Sequence, residues 1–140
     1  MVNENLPASW IPHRNMMFLT ICHAIAIQRN YDFVYTGVNS VDYSGYPDCR
    51  SDFLLCLEET FTLSCEKVIA IQAPLIYLTK EQIWAESEKL GILDLIIKDT
   101  HTCYNGNHTD LHEWGYGCGE CSACVIRKNS YKKFSLNNLK

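Results

Sequence analysis

Cys103, fourteen further residues, then Cys118-Gly119-Glu120-Cys121-Ser122-Ala123-Cys124-Val125-Ile126-Arg127 is the stretch on which the rest of the chain hangs. Three cysteines at C-x2-C-x2-C spacing, with one upstream, supply four thiolates that a folded loop can bring to one point. Structural zinc sites are closed tetrahedra of four ligands, and thiolates suit the ion. Two residues between successive cysteines let the chain curl around a metal, and Gly117 and Gly119 permit the tight turns this requires. An iron–sulfur cluster uses similar runs, but its usual form carries a Cys-Pro that this chain lacks. Disulfides are the third reading, and nothing in the sequence points to an oxidising compartment. The spacing favours one structural zinc per chain on Cys103, Cys118, Cys121 and Cys124, with no position left for a catalytic water.

Working outward, 140 residues suffice to bury about two-thirds of the surface in one core. Apolar residues make up 47% and charged residues 20%, which excludes a disordered chain. A net charge of −4 speaks against a broad nucleic-acid footprint. Arg127, Lys128, Lys132, Lys133 and Lys140 form a local basic run without acidic residues, read as a solvated C-terminal tail ahead of an RNA-binding arm. Residues 1–10 have no basic region followed by an apolar run, so no signal peptide is expected, and residues 16–27 are too few to cross a bilayer. A soluble, reducing, cytoplasmic setting without a membrane is the expectation. Cys22, Cys49, Cys56 and Cys65 show no pairing pattern and read mostly as small buried hydrophobes.

In chain order, residues 1–13 read as an extended lead-in. Residues 15–29 are apolar nearly all round, the pattern of a helix buried between layers, with His23 a hydrogen-bonded core histidine. Residues 32–37 are β-branched and aromatic and end on glycine, as a buried strand does. Residues 51–63 carry Phe53, Leu54, Leu57 and Phe61 at helical spacing, and residues 68–71 read as a second strand. Thr79 and Gln82 form a capping box that starts a third helix, and Gly91 stops it. This alternation predicts an α/β fold, a parallel sheet covered by helices, in a single domain over 1–140 with the zinc-binding loop at 103–127.

Ligands of open parallel sheets bind beyond the carboxyl ends of the strands. The loop over residues 38–50 follows the first strand and is dense in recognition chemistry. Asp42 and Asp48 can accept hydrogen bonds from an amidine-like group, Arg50 can clamp a carboxylate or phosphate, and the tyrosines can stack on a ring. The competing reading is a turn in which Asp48 and Arg50 cap the following helix. Arg14 and Asn15 offer a second anion contact or a plain helix start. Cys49 is a weak candidate nucleophile. Neither G-x-x-x-x-G-K-S/T nor G-x-G-x-x-G occurs in residues 1–140.

Pro12-x-Arg14-Asn15-x-x-Phe18-Leu19, Gly37-Val38-Asn39, Asp42-Tyr43-Ser44-Gly45-Tyr46-Pro47-Asp48-Cys49-Arg50, Pro74-Leu75 and Thr102-Cys103-Tyr104-Asn105-Gly106 complete a pattern with the cysteine run. Together they resemble the 7-cyano-7-deazaguanine synthase family over residues 5–134. The resemblance implies an adenine-nucleotide alpha-hydrolase-like (Rossmann-like) fold and one zinc on four cysteines. It implies an ATP-dependent ligase of queuosine precursor biosynthesis, with Mg2+ accompanying ATP. The carboxylate of 7-carboxy-7-deazaguanine is activated, ammonia is captured as an amide, and a second ATP drives dehydration to the nitrile. Arg14, Asn15, Asn39, Asp42, Tyr43, Asp48 and Arg50 are the implied substrate-binding residues.

Departures accompany the match. The family opens with a strand and a Ser-Gly-Gly-x-Asp-Ser pyrophosphate loop that residues 1–140 do not contain, so the fold is expected to be incomplete at the N-terminus. It has Pro-Gly-Arg-Asn where this chain has Pro12-His13-Arg14-Asn15, and histidine reaches positive φ less readily than glycine. The loop over 104–117 is longer than the family's. The chain reads as the substrate-and-zinc portion of a synthase, partnered by an N-terminal half or a second copy. The alternative is a non-catalytic, zinc-stapled purine-binding module or inactive fragment.

Overall fold

Apolar runs of helical length alternate with short β-branched ones, and the backbone follows them. The computed structural model describes residues 10–40 and 46–137, which gather into two compact units, 1–78 and 79–140. In the first, helix α1 (Arg14–Arg29) leads into strand β1 (Phe33–Tyr35), a 3-10 turn (Pro47–Cys49), helix α2 (Ser51–Cys65) and strand β2 (Ala70–Gln72). The strands pair in parallel, Phe33 with Ala70, Val34 with Ile71 and Tyr35 with Gln72. A parallel pair needs a crossover, and α2 supplies it. Leu19, Val34, Leu54, Leu57, Phe61 and Ile69 close the core between strands and helices.

Helix α1 is there, but the expected burial on both sides is corrected. Leu19, His23 and Ala26 face the core, while Met17, Phe18, Ile21 and Ile25 are about half exposed, because the described residues cover only one side of it. His23 is buried, its ring centroid 4.5 Å from that of Phe61. Its Nε2 finds no hydrogen-bond partner, against expectation, and burial holds its pKa below the ordinary value. Of the four outlying cysteines only Cys49 is buried; Cys22, Cys56 and Cys65 lie at the surface. His13 caps α1 at φ 59°, ψ 14°, the left-handed region where a Cβ is strained.

The second unit begins as the capping box requires. Thr79 N–H donates to Gln82 Oε1 at 2.8 Å, and Gln82 N–H donates to Thr79 Oγ1 at 3.3 Å, starting α3 (Lys80–Lys89). Gly91 at φ +70° ends that turn. Helix α4 (Leu93–Asp99), an antiparallel hairpin of β3 (Leu111–His112) and β4 (Gly115–Tyr116), and α5 (Ser122–Asn137) follow. They pack around Trp84, Trp114, Phe134, Cys103 and Cys124. The basic run lies on a helix with one packed face: Arg127, Ser130 and Phe134 are buried on α5, while Lys132 and Lys133 are exposed as a solvated run requires. No helix among the described residues is long and apolar enough to cross a membrane.

Candidate metal centre and recognition loop

The cysteine loop closes onto the start of α5. The four Sγ atoms of Cys103, Cys118, Cys121 and Cys124 lie within 4.8 Å of one another, those of Cys118 and Cys124 at 3.9 Å. A metal–sulfur bond of about 2.3 Å in a tetrahedron sets sulfurs about 3.8 Å apart, so the cluster fits one ion. The sulfurs surround a single point instead of forming bonded pairs, and all eight cysteines are free.

Backbone N–H groups aim at the sulfurs as they would at thiolates. Cys118 N–H donates to Cys103 Sγ, Cys121 N–H to Cys118 Sγ and Cys124 N–H to Cys121 Sγ, at 3.4–3.5 Å. The Asn105 amide adds a donor to Cys118 Sγ at 3.5 Å. The Cys118 N–H is the chief cause that draws the Cys103 pKa down to about 6. Burial instead pushes Cys124 up to about 12. Without a metal the inner thiol keeps its proton.

Two glycines make the closure, for different reasons. Gly119 turns the chain at φ +75°, as the spacing suggested. Gly117 serves close approach instead, because an added Cβ would sit 2.7 Å from Cys124 Sγ and 3.1 Å from the Trp114 ring.

Arg127, three residues beyond Cys124 on α5, has a role the basic-tail reading missed. Its Nε donates to Trp114 O at 2.7 Å, and its Nη2 donates to Ile96 O at 2.8 Å and Thr100 Oγ1 at 3.0 Å. The guanidinium carbon lies 5.2 Å from the Trp84 ring centroid. One buried side chain thus ties α4, the hairpin and α3 to the metal helix. The signal was its position one turn from a ligand, which puts it on the same face. Gly115 makes room for it, since a Cβ there would lie 2.9 Å from Nη2.

The loop over residues 38–50 lies in the first unit. Asp42 and Tyr43 fall outside the described residues. Asp48 is buried in the 3-10 turn, and its Oδ2 accepts from Asn15 N–H at 3.1 Å. The carboxylate therefore caps α1, where His13 makes no side-chain cap bond, and not α2 as the turn reading had it. Its Oδ1 is equally buried and has no hydrogen-bond partner. The Asn15 amide returns to Asp48 O at 3.3 Å and reaches Cys49 Sγ at 3.4 Å.

Arg14 lies 5.5 Å from the Tyr46 ring centroid, and Arg50, exposed, turns its Nε back to Pro47 O at 3.3 Å. The structure thus joins Arg14, Asn15, Tyr46, Asp48 and Arg50 around one turn. Asn39 meets the same turn through a backbone hydrogen bond to Cys49, while its side-chain amide nitrogen is spent on the carbonyls of Leu75 and Leu78, at 2.7 and 2.6 Å. Burial, then the neighbouring Asp48 charge, raise the Cys49 pKa, which removes the candidate nucleophile.

The family model described as Queuosine biosynthesis protein QueC matches residues 1–135. The 7-cyano-7-deazaguanine synthase of Helicobacter pylori (strain Shi470) is 44% identical over 135 residues, 96% of this chain and 60% of the relative. That of Wolinella succinogenes is 42% identical over 130 residues, 93% of this chain and 56% of the relative. That of Polaromonas naphthalenivorans (strain CJ2) is 41% identical over 138 residues, 96% of this chain and 58% of the relative. The chain thus spans no more than 60% of the length of these curated relatives. With a match along nearly its whole length, a parallel α/β unit and four converging thiols, the chain belongs to the QueC family of queuosine biosynthesis proteins.

Proposed function

We propose that this chain supplies the substrate-recognition and zinc-bearing portion of a synthase that makes 7-cyano-7-deazaguanine from 7-carboxy-7-deazaguanine and ammonia. The reaction is an ATP-dependent C–N ligation completed by dehydration to the nitrile, in the cytoplasm, with Mg2+ carried on ATP. The observation that carries the reading is Asp48, a buried carboxylate with one oxygen spent on α1 and the other without a partner. A deazaguanine offers a ring N–H and an exocyclic amine, donors that such an acceptor takes up. Asp42 is the second acceptor, and Arg14 and Arg50 supply positive charge for the substrate carboxylate. Tyr43, Asn15 and Asn39 are further substrate contacts, and the Asn39 side chain also holds the loop's root on Leu75 and Leu78.

The ion on Cys103, Cys118, Cys121 and Cys124 is zinc, and four thiolates leave it no open position, so it supplies folding energy and no Lewis acid step. Structural zinc of this kind contributes on the order of 10 kcal/mol. Residues 1–140 contain no Ser-Gly-Gly-x-Asp-Ser loop to cradle the pyrophosphate of ATP, which two separated guanidiniums do not replace. The 140-residue chain alone therefore turns over no ATP.

Calorimetry with 7-carboxy-7-deazaguanine tests the recognition half. Asp48→Asn or Asp42→Asn should weaken binding by a few kcal/mol, as a donor loses its charged acceptor. Unchanged affinity in both variants removes the loop as base reader. Elemental analysis should find one zinc per chain, and less than about a tenth of an equivalent would remove the zinc assignment. Formation of AMP or nitrile by the chain alone would show a nucleotide site within these residues.

A further inference from the structure

Arg127 is charged and buried, and no carboxylate meets it. The residue is 8% exposed, and the ion pairs among the described residues do not include it. Its three hydrogen bonds go to Trp114 O, Ile96 O and Thr100 Oγ1, all uncharged oxygens. Those bonds explain where the side chain is held, and a neutral donor of the same reach would satisfy them. They do not explain a cation. A charge taken out of water is costly unless an opposite charge stands near it.

The opposite charge lies one helical turn away. Cys124, three residues earlier on α5, is fully buried and belongs to the four thiols whose sulfurs lie within 4.8 Å of one another. Residues three apart on a helix are neighbours, about 5–6 Å between Cβ atoms. Four thiolates around one divalent ion form a dianion. The backbone N–H groups and the Asn105 amide that donate to its sulfurs carry no net charge. Glu120, the one acidic residue between Cys118 and Arg127, is exposed and adds negative charge. Burial lowers the Arg127 pKa, and the charge on Cys124 acts the other way. Buried charges are screened far less than exposed ones, so the interaction keeps its strength in salt.

We propose that Arg127 belongs to the metal centre as its counter-cation: the buried guanidinium one turn from Cys124 offsets the negative charge that four thiolates leave around the bound ion. The inference rests on the reading of the four cysteines as a site for one divalent metal. Arg127 then does two separable things. Its hydrogen bonds hold the unit together, and its charge strengthens the hold on the metal.

Cobalt(II) in place of zinc separates the two, because its thiolate-to-metal charge-transfer band reports the energy of the sulfur lone pairs. A nearby cation lowers that energy, so removing the cation moves the band to longer wavelength. Arg127→Met keeps the stem and drops the charge. It should move the band of the cobalt-loaded chain to longer wavelength and weaken cobalt and zinc binding about 10-fold or more, as loss of a group behind the ligands does. Arg127→Lys loses the planar fork and keeps the charge. It should leave the band in place and recover most of the affinity, although its urea midpoint falls. Thr100→Val, which removes one neutral acceptor, should leave band and affinity as in wild type. A tether without an electrostatic role gives the other pattern, in which the Met and Lys variants lose affinity alike and neither shifts the band. An unshifted band in Arg127→Met, or equal loss of affinity in the two variants, overturns the inference. Where Arg127→Met holds no cobalt, Arg127→Lys decides: wild-type band and affinity support the counter-cation, and a shifted band or absent metal overturns it. A wild-type chain that takes up neither cobalt nor zinc is a different result, which removes the metal reading itself and the counter-cation with it.

Discussion

Removing the Arg127 guanidinium should loosen the metal-bearing unit even though Arg127 binds no metal. In Arg127→Met the aliphatic stem and its volume remain, but three donated bonds go: to Trp114 O, Ile96 O and Thr100 Oγ1. Of those acceptors Ile96 O keeps the Thr100 hydroxyl as a donor, whereas Trp114 O loses the guanidinium, and an unsatisfied buried acceptor costs about 1–3 kcal/mol. Loss of the contact over the Trp84 ring adds about 1 kcal/mol. Relief comes from no longer burying a charge, a penalty of several kcal/mol that the native bonds offset. The balance is a loss of about 2 kcal/mol, large against the 5–15 kcal/mol that hold a typical domain together. Urea titration of the zinc-loaded protein, followed by tryptophan fluorescence, should move the midpoint down by about 1 M. Arg127→Lys should recover little, since an ammonium lacks the planar fork that reaches acceptors on two elements. A midpoint within about 0.3 M of wild type in Arg127→Met would mean that the bonds contribute nothing net, and the tether account would fail.

Gly117→Ala should abolish stoichiometric metal binding, because its Cβ would sit 2.7 Å from Cys124 Sγ; one zinc per chain in elemental analysis of that variant would refute it. His13→Gly should raise stability by about 0.5–1 kcal/mol by relieving the left-handed cap; an unchanged or lowered thermal midpoint goes against it. Zinc uptake at pH 7.5 should release at least one proton, from Cys124, whose pKa lies at about 12, whereas Cys103, at about 6, is already a thiolate. Calorimetry in buffers of different ionisation heat measures this, and a buffer-independent enthalpy would exclude it. The same depressed Cys103 pKa sets a sign: its contribution to stability is full above the ordinary thiol pKa and is lost as pH falls through about 6. Metal-free protein should therefore lose stability on acidification from pH 8 to 5, and a gain would contradict the assignment.

What could be read from the residues alone was whatever depends on neighbours in sequence. The capping box at Thr79 and the stop at Gly91 are local geometry, and both are in place. The cysteine spacing is local too, apart from Cys103. Contacts across long stretches were not legible. Asp48 looked like a cap for the helix that follows it, yet it caps the helix that begins 34 residues earlier, because the 3-10 turn folds back on Asn15. The hairpin escaped notice for a different reason. Its two-residue connection is Glu113-Trp114, without the Asn-Gly or Asp-Gly that announces a tight turn. Burial of the Trp114 ring and the bond from Arg127 to its carbonyl hold that turn instead.

Helix α5 was hidden by composition, since two of the positions it buries are Arg127 and Ser130. A polar residue inside the stripe erases the periodicity that marks a helix, even where its hydrogen bonds make it the better core residue. The reverse error occurred at α1, where an all-round apolar pattern implied two covering layers and the described residues provide one. The two cases have one physical cause. Hydrophobic patterning counts apolar side chains whether or not anything covers them, while satisfied polar groups report what an element packs against. Arg127 is thus a polar residue whose donors are met inside the fold, and α1 an apolar helix with one side open among the described residues.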